Sequence, residues 1–244
     1  MMKKQIVAIA ITLLALSTTV SADKDDEFVH IKNLIDTVVK GDEADSIKPT
    51  DIPGLYEVII GADIFYVSKD GRYMLQGDLI DWQERVNQTE AARDGLRKNI
   101  IANLDEKDLI VFSPENPKHV VTVFTDIDCG YCRKLHAEMA QYSQAGIAIR
   151  YAAFPRSGVN TPSYFKAVAA WCAKDPQAAL TASKAGERVE KEIEDCQDPV
   201  ADQLKLARTL GLRGTPSLIL EDGRLLPGYV PADRLLDVIA ENTK

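Results

Sequence analysis

Cys129 and Cys132 stand two residues apart, with Gly130 and Tyr131 between them. The apolar, β-branched run Val120 to Thr125 precedes them, and a helical stripe of Tyr131, Leu135, Met139 and Tyr142 follows. The pair therefore sits where a buried strand hands over to a helix. Two intervening residues at a helix start let the cysteines close a small, reducible disulfide. The free N–H groups and partial positive charge of the helix N-terminus favour a thiolate at the first cysteine. The thiolate is the attacking species in disulfide exchange. Cys129 is expected to be the exposed nucleophile, and Cys132, one turn in, the resolving thiol. Arg133, Lys134 and His136 would favour the thiolate if they come close, and Asp128 would oppose it. The other readings of the pair are a structural disulfide or half a zinc site. Zinc needs two further ligands at workable spacing, and the chain has only His30, His119 and His136 besides its other cysteines. No second CxxC is present, so no metal or cofactor is called for.

The remaining cysteines, Cys172 and Cys196, are 24 positions apart and have no helix-start context. Cys172 follows Trp171 in an apolar run and is expected to be buried. A bond between the two reads as a structural staple, worth about 3 kcal/mol on the chain-entropy account. Gly214-Thr215-Pro216-Ser217 precedes a short strand. It reads either as a plain turn before an edge strand or as a cis bond, and spacing does not separate the two.

The elements that hold these residues form an α/β pattern from residue 109 to 244. Strands are predicted at Leu109 to Phe112, Val120 to Thr125, Ile147 to Phe154, Ser217 to Leu220 and Arg224 to Leu226. One helix is predicted from the cysteine pair to Gly146, and a mostly helical stretch from Ser163 to Leu210. A last helix opens at Pro231 and carries Leu235, Leu236, Val238 and Ile239. Residues 82–108 read as a connector with a linker helix from about Thr89, weakened by Gly95; the other reading gives that helix to the C-terminal domain. Residues 23–81 read as a small α+β unit. A helix bears Phe28, Ile31, Leu34, Ile35, Val38 and Val39 and stops near Gly41. Three short strands follow, with a turn at Lys69-Asp70-Gly71. So small a unit buries little surface alone, and an exposed strand edge invites pairing across a dimer.

The chain opens with Lys3 and Lys4, an apolar run from Ile6 to Leu16, and small residues up to Ala22. That order reads as an export signal over residues 1–22. The run is shorter than the roughly 20 residues of a spanning helix. Export places the cysteines in an oxidising space, where disulfides persist. The net charge of −8 argues against nucleic acid or an anionic membrane as partner.

The segment Val123 to His136 resembles the active-site segment of the DsbC/DsbG family of bacterial periplasmic disulfide isomerases, within the thioredoxin superfamily. Tyr151 to Arg156, Trp171 to Lys174, Gly214-Thr215-Pro216 and Gly71 to Gly77 fit the same family, and Gly130-Tyr131 looks more like DsbC than DsbG. The resemblance implies a V-shaped homodimer. Its small N-terminal domains would pair through strands, and linker helices would lead to two thioredoxin-like domains. An uncharged cleft would bind misfolded, disulfide-containing exported proteins. It also implies a cis Thr215-Pro216 bond facing the cysteines, and a membrane-embedded reductant of the DsbD type. Two positions depart from pattern. Val123 stands where thioredoxins bury an acid, six residues before the first cysteine, and Arg133 stands where DsbC-type chains often have His. The competing functions are a DsbA-class oxidase that introduces disulfides and a holdase chaperone that makes no use of its thiols.

Overall fold

The computed structural model describes residues 29, 31–33, 35 and 43–241. The predicted export signal, residues 1–22, lies outside the described residues, as do Phe28, Leu34, Val38, Val39 and Gly41 of the first predicted helix. Its remaining stripe residues, Ile31 and Ile35, are helical and buried. The described chain divides into two compact units. One extends to Val58 and includes Tyr66–Leu75; the other comprises Ile59–Phe65 and everything from Gln76 onward.

The N-terminal region carries a four-stranded sheet, β1(Ser46–Pro49), β2(Leu55–Ile60), β3(Asp63–Ser68) and β4(Met74–Leu75), in that spatial order. Alternation sends Tyr56 and Val58, and Ile64 and Tyr66, to the buried side. Gly71 closes the β3–β4 turn at φ +68°, a conformation that other residues avoid. A hairpin follows, β5(Ile80–Asp81) and β6(Val86–Asn87), which straddles the expected boundary between the N-terminal unit and the connector at residue 82. Its two-residue strands are too short for alternation to register. α1(Gln88–Ala102) begins where Asn87 Oδ1 accepts the Glu90 N–H at 2.9 Å.

The second unit is built on a five-stranded sheet of order β11-β10-β8-β9-β7. Its strands are β7(Ile110–Phe112), β8(His119–Thr125), β9(Ile147–Ala153), β10(Ser217–Ile219) and β11(Leu225–Pro227). β8 and β9 run parallel from His119↔Ile147 to Thr125↔Ala153, and β7, β10 and β11 each pair antiparallel to their neighbours. Central β8 is apolar on both faces, as a doubly covered strand must be. Val121 and Val123 pack with Leu135, Tyr142, Ile149, Tyr151, Leu180 and Leu235. Phe124 packs on the other face with Ile101, Ala152, Leu204, Ala207 and Ile219. The first face is covered by α2(Gly130–Ala137), α3(Met139–Gln144), α4(Pro162–Trp171), α5(Pro176–Ala185) and α7(Ala232–Ala240). The second is covered by α1 and α6(Val200–Thr209). α1 is tied down further by Arg150, which donates to the Ile101 carbonyl at 3.2 Å and to Thr122 Oγ1 at 3.0 Å.

One sequence expectation needs correction. The single helix after the cysteines is two, interrupted at Glu138. The stretch from Ser163 to Leu210 is mostly helical, as expected, in three separate helices. Gly186 ends α5 in the left-handed region, and residues 187–199 form no regular element. The disulfide Cys172–Cys196, with Cα atoms 5.8 Å apart, anchors that irregular segment to the end of α4. Of the two readings left open at Thr215-Pro216, the edge strand does not hold, since β10 lies between β8 and β11. Proline is accommodated because it precedes the first ladder residue, Ser217. Among the described residues, no helix is long and apolar enough to cross a membrane.

Candidate active site

β8 ends at Thr125, and four residues later Cys129 caps α2 in an extended conformation, φ −84° and ψ 123°. Both cysteines carry free thiols. Contrary to expectation, Cys129 is not exposed: 4% of it reaches the surface, and 1% of Cys132. The cover is the loop before β10. Thr215-Pro216 is cis, and the Cys129 thiol donates to the Thr215 carbonyl at 3.2 Å. Thr215 Oγ1 is buried with no oxygen or nitrogen partner. Burial works against charge on Cys129. Hydrogen bonds from the Cys132 N–H and thiol and the Tyr131 N–H help to outweigh it, so the pKa falls below the ordinary thiol value. Cys132 goes the other way. Burial pushes its thiol up, against the pull of the Lys184 cation, the Thr125 hydroxyl and the Asp126 N–H. One thiol is thus poised to ionise and its neighbour is held protonated.

Gly130 occupies the first helical position, where an added Cβ would meet nothing within 4 Å. Tyr131 is 65% exposed, and its ring stacks against Tyr229 with centroids 6.5 Å apart. The site therefore presents an open backbone and an aromatic rim around a recessed sulfur.

The charged neighbours singled out from sequence are otherwise engaged. Asp128 accepts from Lys166 Nζ at 2.7 Å and Arg133 at 3.1 Å, which offsets its charge. Arg133 also donates to the Ile127 carbonyl at 2.9 Å. Lys134 pairs with Glu138 and lies over the Tyr229 ring. His136 is buried, with Nδ1 3.3 Å from Tyr151 Oη and Nε2 2.9 Å from Thr181 Oγ1. Burial, and then the Lys184 cation, lower its pKa to about 4. It is neutral at physiological pH and cannot supply the positive charge expected of it.

Sequence reasoning missed the residues that do surround the pair. Asp126 is buried and takes hydrogen bonds from Ser163 Oγ, from the Arg156 N–H and Nε at 3.0 and 3.1 Å, and from the Asp128 N–H at 2.8 Å. Those donors hold its carboxyl low despite burial. Lys184, in the last turn of α5, is also buried, and its Nζ donates to Thr125 Oγ1 at 2.8 Å. Nothing local marks Lys184, since a lysine among alanines near a helix end reads as solvated surface. Asp126, in the quoted active-site segment, could have been noticed as an acid directly after a buried strand.

This geometry coincides with family resemblance along the whole chain. A family profile described as a thioredoxin-like domain matches residues 106–242, and one described as the N-terminal domain of disulfide bond isomerase proteins matches residues 18–90. The chain is 37% identical over 206 residues to the thiol:disulfide interchange protein DsbC of Escherichia coli K12, spanning 84% of each chain. The chain belongs to the DsbC family. It is also 33% identical to DsbC of Dickeya dadantii over 98% of this chain and 95% of that one. A linker-deletion mutant of Proteus mirabilis ScsC superposes with a TM-score of 0.51 at 21% identity, covering 63% of this chain and 84% of that one, and shares the fold alone. As a family member with a thioredoxin-like domain, the chain is a disulfide oxidoreductase or isomerase.

The state of His136 predicts a pH dependence of stability. Its folded pKa of about 4 lies below the ordinary 6.5. Between those values the unfolded chain binds a proton that the folded chain refuses, so stability falls as pH drops from 6.5 toward 4. The full loss is at most about 3 kcal/mol at 1.36 kcal/mol per pKa unit. Urea unfolding at pH 7 and pH 4.5 should show it. His136→Gln should flatten the slope; an equal slope in that variant would assign it to other groups.

Proposed function

We propose that the protein rearranges non-native disulfides in exported proteins through the Cys129-Gly130-Tyr131-Cys132 dithiol. The observation that carries this reading is Cys129 capping α2 with its sulfur 3.2 Å from the cis-proline loop carbonyl of Thr215. The Cys129 thiolate attacks one sulfur of a substrate disulfide, the S–S bond breaks, and the other sulfur leaves as a thiolate. A substrate thiolate then displaces Cys129 in a new pairing. Alternatively Cys132 attacks Cys129 Sγ, the substrate leaves reduced, and the pair is oxidised. Cys172–Cys196 serves as a staple outside this chemistry.

The remaining assignments belong to the same reading. Residues 1–22 direct export to the periplasm and are removed. Residues 23–81 pair two copies into a homodimer, residues 82–108 link the arms, and residues 109–244 carry the chemistry. In support, β4 is an edge strand of its sheet and exposes Met74 and Leu75, a surface that strand pairing would cover. A membrane reductant of the DsbD type keeps the pair reduced, and the dimer also acts as a chaperone toward unfolded clients.

The test is a substrate with several scrambled disulfides, incubated with the reduced mature protein in redox buffer. Recovery of native pairing is expected well above the buffer rate. If the protein oxidises a reduced substrate yet leaves scrambled disulfides unchanged, the DsbA-class oxidase reading replaces this one.

A further inference from the structure

One buried charge has no task in the exchange just described. Lys184 is 4% exposed, its Nζ donates to Thr125 Oγ1 at 2.8 Å, and it stands 5.4 Å from the Tyr151 ring centroid. The Thr125 hydroxyl is close enough to Cys132 to pull its pKa down against burial. Amine, hydroxyl and thiol are thus neighbours at the start of α2. A lysine ammonium is strongly hydrated and costly to bury without partners. Here burial, opposed by the charges of Cys132, Asp126 and Cys129, lowers the Lys184 pKa to about 8. Ammonium and amine therefore interconvert near neutral pH. Val123, six residues before Cys129, is fully buried and apolar, so no acid from that position reaches Cys132.

We propose that Lys184, through the Thr125 hydroxyl, is the proton partner of Cys132 in the resolving step, a role that rests on the dithiol reading above. In the mixed disulfide Cys129 Sγ is bonded to a substrate sulfur. The Cys132 thiol passes its proton to Thr125 Oγ1 as Thr125 passes its own to the amine of Lys184. The Cys132 thiolate attacks Cys129 Sγ, the bond to the substrate breaks, and the substrate sulfur leaves as a thiolate that solvent protonates. Two electrons pass from the pair to the substrate. Lys184 is left as the ammonium and returns its proton when the pair is reduced again.

The groups facing Lys184 leave this pair free to titrate. From α2 come Cys132, Arg133 and His136, with Cys129 at its cap; Asp126 follows β8, and Tyr151 lies on β9. Asp126 is held ionised by Ser163 and Arg156, Arg133 is paired with Asp128, His136 is neutral and Tyr151 is pushed well above its ordinary value. Between pH 6 and 9 the groups left to change charge are the two thiols and Lys184.

The test is stopped-flow reaction of the reduced protein with one equivalent of dithiobis(nitrobenzoate). The first coloured thiolate reports attack by Cys129, and the second reports resolution by Cys132. Lys184→Met should slow the second release at least tenfold at pH 7. It should also move that phase's pH midpoint up by about one unit, because a cation that lowers the Cys132 pKa is gone. The first release should stay within about twofold, since the cap donors of Cys129 are untouched. Thr125→Val keeps the lysine and removes only the hydroxyl, and carries the same expectation should the lysine variant misfold. Lys184→Arg keeps a cation that cannot give up its proton, and should also be slow. An unchanged second phase in Lys184→Met and Thr125→Val, or full speed in Lys184→Arg, overturns the proposal. Loss of the first release from the wild type would instead overturn the dithiol reading beneath it.

Discussion

Cys129→Ala is expected to bring reactivation of a scrambled substrate down to the buffer rate, a loss on the order of a thousandfold or more. No neighbouring group can take over. Cys132 has its thiol pushed up by burial, so it does not ionise readily. Cys172 and Cys196 are bonded to each other, and the described chain has no further free thiol. The complementary variant should behave differently. Cys132→Ala retains the capping cysteine and its donors but cannot release a trapped substrate, so a covalent complex between protein and client should accumulate on non-reducing gels. If Cys129→Ala still reshuffles disulfides, or if Cys132→Ala traps nothing while Cys129→Ala does, the roles given to the two thiols are wrong.

Gly223→Ala is expected to be the most destabilising single methyl in the second unit. Gly223 sits at φ +93° in the turn between β10 and β11. An added Cβ would fall 1.8 Å from the Asp94 carbonyl oxygen and 2.8 Å from the Lys98 nitrogen, both backbone atoms of α1. No rotamer change can relieve a backbone clash, so either the turn or α1 must move. Moving α1 disturbs Ile101 in the core and the Arg150 bond to its carbonyl. Left-handed strain costs about 1 kcal/mol, and overpacking adds about 1–3 kcal/mol; together the loss should be about 2–4 kcal/mol. Gly186→Ala provides the comparison. It has nearly the same φ, +94°, but meets nothing within 4 Å, so it should lose only the conformational part, about 1 kcal/mol. Denaturant midpoints of the two variants measure the difference. Equal midpoints would mean that α1 is not seated on that turn.

The dithiol segment was legible because its signals are local. An unbroken β-branched run announces a strand covered on both faces, and a helical stripe announces the face turned to the core. The cysteine pair falls at the joint between them. The same locality explains the misreadings. Glu138 interrupts the helix without a glycine or proline to mark it, and residues 187–199 carry apolar and charged side chains that mimic a helical stretch. Their irregular path is set by Gly186 and by the bond from Cys196 back to Cys172. The hairpin of β5 and β6 has strands too short to leave a period.

Residue types and spacing along the chain determined the chemistry available here. They specify a dithiol at a strand-to-helix joint, a second cysteine pair outside it, and family motifs from the N-terminal unit to the loop before β10. What the thiols are able to do was decided by contacts between residues far apart in sequence. Thr215 covers Cys129 from 86 positions away, and Lys184 lies under Thr125 from 59 positions away. Neither contact leaves a periodic trace, because a pKa depends on burial and on the donors and charges within a few ångströms. The fold alone brings those groups together. That is why His136, Arg133 and Asp128, beside the cysteines in sequence, are neutral or paired, while the distant Thr215 and Lys184 reach them.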